Sequence, residues 1–237
     1  MVQISPAQSP ALHALYLKHC AYFPLIAAVL NNTQNGIILA DCIENPTQIY
    51  VEHAFGFAQI FGRPVPTFER YLHQYLFIDR AFMCEKVRLY TPHYPNFLQE
   101  NDYKSLQSVR QHFQLDLANG KTINPVNTQK NKDVTLVLAN MSHLKMIADT
   151  FGVMGRFWRT EDDFINYSNA VIAIVNGQAA ALCYAAAIAN DKAEIDVLTL
   201  PAYRHLGLAK AAVHLFNRHC IAQNLLPLWD CFTNNTA

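Results

Sequence analysis

Apolar positions recur at helical spacing near the start of the chain. Leu12, Leu15, Tyr16 and His19 predict a helix somewhere within residues 10–30. A turn cluster at 31–36 ends it. Residues 36–41 (GIILAD) and 49–60 (IYVEHAFGFAQI) then read as strands, the second interrupted at Gly56. The pattern predicts an amphipathic helix over 68–76, a strand at 86–90 (KVRLY) and a helix over 104–117. No chemical motif stands out in this half.

Residues 118–133 (ANGKTINPVNTQKNKD) carry Gly, Pro, four Asn and three Lys and almost nothing large and apolar, so they read as a surface connection. They divide the chain into an N-terminal α/β region, 1–125, and a second region, 126–237. The second pattern is sharper. Strand 134–139 leads to helix 142–151, with Ser142 as N-cap, and to helix 160–167, where Thr160 and three following acids suit a helix start. Runs 170–175 and 179–188 flank Asn176-Gly177, a strong local signal for a β-hairpin. A second turn at Asn190-Asp191 leads to strand 193–200, loop 201–207, helix 208–224 and strand 226–231. The fold class is α/β (α+β): a mixed, mostly antiparallel sheet flanked by helices, beside the N-terminal α/β region.

Composition bounds the function. The 237 residues are 51% hydrophobic, ample for a packed core. Lys+Arg and Asp+Glu are 18 each. A zero balance excludes a nucleic-acid binder that works by bulk charge neutralisation, and leaves room for a local phosphate site. Six cysteines are spread without a CxxC pair and read as buried thiols in a reducing cytoplasm. No early segment reads as a signal peptide, and apolar runs such as 22–30 and 178–189 are too short to span a bilayer. We therefore expect a cytoplasmic protein with no membrane partner. The ten histidines include no HExxH and no Cys/His zinc spacing, so no metal is expected.

The informative segment is strand 193–200, loop PAYRHLG and the helix that follows. A strand feeding a glycine turn that opens a helix can hold an anion, because the first helical N–H groups lack intrahelical partners and the helix dipole is positive there. Arg204 adds a charged fork of donors, Gly207 lets backbone come close, and Ala209 keeps the first turn clear of bulk. The loop is neither GxxxxGK[ST] nor GxGxxG. Glu194 and Asp196 stand two apart on the strand and point to one face, where mutual repulsion can raise one pKa and the pair can hold an ammonium.

Arg204-His205-Leu206-Gly207-Leu208-Ala209, after Pro201 and Tyr203, resembles the [QR]-x-x-G-x-[GA] motif of the GCN5-related N-acetyltransferases (GNAT). With EIDVLTLPAYRHLGLA and LPLWDCFTNN in that order, residues 134–237 are similar to the subgroup that includes zwittermicin-resistance acetyltransferases. The resemblance implies an acyl-CoA-dependent N-acyltransferase, most simply acetyl transfer from acetyl-CoA to a small-molecule amine by direct attack. It implies that the strands at 196–199 and 226–231 splay around the donor. Backbone of Val197, Leu198 and Thr199 would pair with the pantetheine arm. Amides of Arg204, His205, Leu206, Gly207, Leu208 and Ala209 would hold the pyrophosphate, and Asn235 would touch the CoA arm at a following helix start. Glu194 would be the general base and Asp196 would orient it or the amine.

Other residues have plainer readings. His205 serves equally as a phosphate contact or a solvent-facing histidine. Trp229 is core or a wall of the acceptor pocket, and Cys183 and Cys231 are buried thiols rather than nucleophiles. The family's last helix and strands are expected to be missing after Thr236-Ala237, along with a frequent tyrosine acid, which would leave a sheet edge uncovered. That leaves three explanations: a truncation, a partner chain such as the second copy of a homodimer, or a member that no longer catalyses. The competing functions are a non-catalytic acyl-CoA-binding or interaction module and a nucleotide binder.

Overall fold

The computed structural model describes residues 1–5, 9–18, 22–91, 94–98, 101–116 and 134–235. The chain forms two compact units, Met1–Val109 and Arg110–Ala237.

The first unit holds a five-stranded sheet in sequence order: β1 (Val2–Gln3), β2 (Gly36–Ala40), β3 (Gln48–His53), β4 (Phe57–Gly62) and β5 (Arg88–Tyr90). Neighbours are antiparallel except β4 and β5. The run predicted as one interrupted strand is therefore a hairpin, with Gly56 at φ +85° in the turn. The helix predicted within 10–30 is two, α1 (Ser9–Tyr16) and α2 (Pro24–Leu30). Pro24 opens α2, where its missing N–H costs nothing. Helix α3 (Pro66–His73) runs on into a π turn, Gln74–Ile78, and Phe68, Leu72 and Leu76 pack on Leu39, Tyr50 and Ile60.

All six residues of β3 are buried, including three polar ones. Each has partners, as burial requires. Glu52 accepts from the hydroxyls of Tyr50 (2.7 Å) and Tyr75 (3.1 Å) and from the Met83 N–H (2.8 Å). Gln48 donates to Glu69 and accepts from the Val65 N–H. His53 accepts from the Phe55 N–H through Nδ1 and meets Gln34 Oε1 through Nε2 at 3.1 Å. Burial lowers its pKa to about 4, so the ring is neutral.

The second unit holds a six-stranded sheet ordered β6-β11-β10-β9-β8-β7. Its strands are β6 (Arg110–Gln114), β7 (Val134–Leu138), β8 (Val171–Val175), β9 (Gln178–Ala189), β10 (Lys192–Thr199) and β11 (Leu226–Phe232). The helix predicted over 104–117 is replaced by a 3-10 turn, Asn101–Leu106, and strand β6. Because β6 pairs with β11, the second unit begins at Arg110, ahead of the expected division at 125/126. The predicted connection at 118–133 lies outside the described residues. Strand β6 covers the outer edge of β11 from Leu228 to Phe232.

Both predicted turns are present. Asn176 and Gly177 have φ +49° and +77°, and Asn190 and Asp191 +49° and +60°, the all-positive pattern that matches strand twist. Helix α4 (Leu144–Phe151) is preceded by a 3-10 turn capped by Asn140, not Ser142: Asn140 Oδ1 accepts from the Ser142 N–H at 3.0 Å. In α5 (Glu161–Tyr167) the Thr160 hydroxyl accepts from the Asp163 N–H, as expected of a cap.

Helix α6 (Leu208–Ala222) carries Ala212, Phe216 and Cys220 onto Val171, Cys183, Ala185 and Ala193. Phe216 is fully buried. Phe216→Ala should destabilise the second unit by about 3–5 kcal/mol. Both tryptophans, Trp158 and Trp229, lie in that unit, so urea unfolding followed by tryptophan fluorescence reads it directly. A loss below about 1 kcal/mol would show that the helix is not held by this side chain.

Candidate active site

The site begins where two strands part. Parallel β10 and β11 pair through Lys192–Leu226, Ala193–Pro227 and Glu194–Leu228, and then pairing stops. Yet β10 continues to Thr199 and β11 to Phe232. Beyond Glu194, no strand among the described residues pairs with the β11-facing edge of β10, while its other edge stays on β9 to Thr199. Ile195, Asp196, Val197, Leu198 and Thr199 are accordingly half-buried. The strand outside each arm holds the fork open: β6 on β11, and β9 on β10. In β9, register slips of one residue occur opposite Glu194/Ile195 and Ala173/Ile174; such bulges bend a strand and increase its twist.

At the open end of the fork, β10 runs into a tight loop. Pro201–Tyr203 forms a 3-10 turn, and Tyr203 packs on the core cluster around Leu208. His205 and Gly207 both have left-handed backbones, φ +63° and +74°. Gly207 is the N-cap of α6 and supplies no capping side chain. A Cβ built there would meet nothing within 4 Å. The Ala211 N–H bonds back to Gly207 O at 3.0 Å, so the amides of Leu208, Ala209 and Lys210 precede the first helical bond. Arg204, His205 and Leu206 are exposed beside them, Leu208 is buried and Ala209 half-buried. Asn235 lies in a turn after β11, its N–H on Phe232 O, and no helix starts there among the described residues.

Glu194 sits in the crotch of the fork and is 4% exposed. Its Oε1 accepts the Asp230 N–H at 3.1 Å. Its Oε2 is buried with no hydrogen-bond partner among the described residues. Burial pushes its pKa well above the carboxylate range; Asp230 adds to the rise, and the Asp230 N–H and Arg110 oppose it. The nearby charge that matters most is therefore Asp230, not Asp196 as the strand spacing suggested.

Asp196 is held differently. The Tyr184 hydroxyl, directly across on β9, donates to its Oδ2 at 2.6 Å, and Arg156 stands 4.0 Å away. Tyr184 is fully buried against Phe157 and Phe164. Trp158, beside Phe157, donates its indole N–H to Ala185 O at 2.9 Å. Thus the segment between α4 and α5 packs on β9 and reaches Asp196 of β10 through Arg156. Trp229 is half-buried, its ring 5.9 Å from Phe113. Burial raises the Cys183 thiol well above its ordinary range and Cys220 to about 12, which leaves neither as a thiolate at neutral pH. Cys231 is buried.

Tyr184, Arg156 and Arg110 went unnoticed in the sequence. Alternation places Tyr184 on a strand but does not say which residue faces it. Arg110 meets its partner 120 positions away.

A parallel pair of strands splays beside an uncapped glycine turn, with a buried carboxylate at the apex. The GNAT acetyltransferase family model matches residues 17–237, across both units. The chain belongs to that family. A segment of 82 residues is 27% identical to the uncharacterized N-acetyltransferase YdfB of Bacillus subtilis (strain 168). That match covers 34% of this chain and 31% of that protein, about a third of the relative's length. Among solved structures, a GCN5-related N-acetyltransferase-like protein from Streptococcus suis superposes with TM-score 0.65 at 17% identity, over 96% of this chain and 90% of that one. A GNAT-family acetyltransferase from Colwellia psychrerythraea gives 0.57 at 11% identity, over 99% and 90%. Both share the fold. Among the described residues no helix is long and apolar enough to cross a membrane.

The raised pKa of Glu194 has a thermodynamic consequence. The folded state holds this proton at a pH where the unfolded chain has released it, so stability falls as pH rises from the ordinary range near 4.5 toward the raised value. Glu194→Gln keeps the acceptor for the Asp230 N–H and removes the titration. The variant should gain on the wild type as pH rises above about 5, read by urea midpoints across pH. A constant difference between the two proteins would mean that Glu194 titrates normally.

Proposed function

We propose that the chain transfers an acetyl group from acetyl-CoA to an amine of a small molecule, with Glu194 as general base. The observation that carries this reading is the buried, half-satisfied carboxylate at the apex of an open fork. The fork fits the donor. The β10 edge from Val197 to Thr199 can pair with the amide-rich pantetheine arm as an added strand would. The free amides of α6, the room at Gly207 and the charge of Arg204 suit a pyrophosphate. His205 and Leu206 are exposed on the same loop. The donor supplies an activated thioester carbonyl.

The residues do the rest. A neutral amine must attack, and most amines are protonated at pH 7. Asp196, half-exposed and held by Tyr184, orients the incoming ammonium. Glu194 Oε2, the oxygen without a partner, takes the proton. A carboxylate with a raised pKa is a better base near neutrality than an ordinary one. The N–C bond forms, the C–S bond breaks, and the CoA thiolate leaves, taking up the second proton that the new amide nitrogen sheds. A small acceptor fits the similarity of the EIDV, YRHLGLA and WDC blocks to an antibiotic-resistance subgroup.

Two measurements test this. Acetyl-CoA at a hundredfold excess over its Kd should stabilise the chain by about 2.7 kcal/mol, seen as a thermal shift that ATP does not give. Arg204→Ala should weaken that binding about tenfold to a hundredfold, the scale of a lost charged hydrogen bond. No shift with acetyl-CoA would overturn the donor assignment. Separately, Glu194→Gln should lose most turnover over a panel of small amines while keeping acetyl-CoA affinity. Stabilisation of the wild type without any turnover would favour an acyl-CoA-binding module.

A further inference from the structure

The fork leaves backbone groups of β11 without a strand to pair with, and two of them are taken by side chains. Asp230 lies two residues beyond the last β10–β11 pair. Its N–H donates to Glu194 Oε1 at 3.1 Å, and its C=O accepts from Arg110 Nη2 at 3.1 Å. The Asp230 carboxylate also forms an ion pair with Arg110 Nε. Arg110 thus grips both the backbone and the side chain of one residue. Its guanidinium lies 4.3 Å from the centre of the Phe232 ring, a cation–π contact that fixes its plane. The arginine side chain is 20% exposed and the aspartate side chain 9%. This is a desolvated pair, where charge acts with little screening.

We propose that Arg110 and Asp230 are a positioning pair for Glu194, holding the carboxylate at the apex of the fork and setting the charge it faces. The proposal rests on the reading of Glu194 as the base. Asp230 brings a negative charge beside Glu194, and Arg110 offsets it. The other charged groups around Glu194 are few. On β10 itself there is Asp196, which is engaged by the Tyr184 hydroxyl from β9 and by Arg156 from the segment before α5. Directly across on β9 is Ala187. Helix α6 packs Ala212, Phe216 and Cys220 against Ala193 and Ile195, the neighbours of Glu194 on β10. Lys145 and Asp149 on α4, and Glu161 and Asp162 on α5, are exposed. Arg110 comes from β6, so a strand at the sheet edge acts on a base two strands away.

The test reads the base directly. The full chain is labelled with carbon-13 at glutamate carboxyls, and the Glu194 signal is identified by its loss in Glu194→Gln. Its midpoint is then followed by NMR across pH. Arg110→Gln should raise the midpoint and Asp230→Asn should lower it, each by about one unit. Arg110→Lys, which keeps the charge, should stay near the wild type. If Arg110→Gln does not fold, Asp230→Asn and Arg110→Lys carry the test. A midpoint that moves in neither charge-removing variant overturns the proposal, whatever the role of Glu194. Full turnover in Glu194→Gln, with midpoints that move as expected, removes the base reading and leaves the coupling intact.

Discussion

The parting of β10 from β11 after Glu194 is the constraint on which the second unit depends. Two parallel strands that separate inside a sheet each lose a row of partners, and buried backbone groups cannot be left unmatched. The structure meets this by giving each arm a firm neighbour on its far side. Strand β9 follows β10 to Thr199, and β6 follows β11 to Phe232. Helix α6 then lays Phe216 and Cys220 across the base of β10, where the arms are still joined. Only with those supports can the inner edges face a cleft.

Two buried glutamates show how differently one side chain can be used. Glu52, fully buried in the first unit, accepts three hydrogen bonds, from two tyrosines and a main-chain N–H. A carboxylate so supplied is held in place. Glu194 is almost as buried, but among the described residues only one of its oxygens has a partner. Leaving a buried polar atom unsatisfied costs roughly 1–3 kcal/mol. Such costs persist where the surroundings over-determine the residue, and here the Asp230 N–H and the β10 backbone do so.

Much of this was legible in the sequence where the signal was local. Asn-Gly readily adopts the two left-handed conformations of a turn whose twist matches the flanking strands, so the hairpin at Asn176-Gly177 was evident. The strand–loop–helix around Arg204 and Gly207 was evident for a similar reason. Failures came where a distant partner decides. Residues 110–114 (RQHFQ) suit a helix or a strand about equally until β11, more than a hundred positions away, offers an edge. Gly56 read as an interruption because alternation does not reveal that the chain reverses there. At the site, spacing placed Glu194 and Asp196 on one strand. It could not show that one is buried at an apex and the other tied to Tyr184. Those are properties of pairing across the sheet.

The loop before α6 shows the same division of labour on a smaller scale. His205 and Gly207 both lie in the left-handed region, two residues apart. For a side-chain-bearing residue this costs roughly 1–2 kcal/mol, and histidine bears it more readily than a β-branched residue would. A strained backbone persists only if what surrounds it is rigid. Tyr203 supplies that on one side by packing against the buried cluster of Ala173, Val175, Ala180 and Ala181, and Leu208, a member of that cluster, on the other. The loop is pinned at both ends by core residues while Arg204 to Gly207 stay exposed between them. A curl of backbone anchored at both ends by apolar side chains holds the exposed residues between them in one conformation.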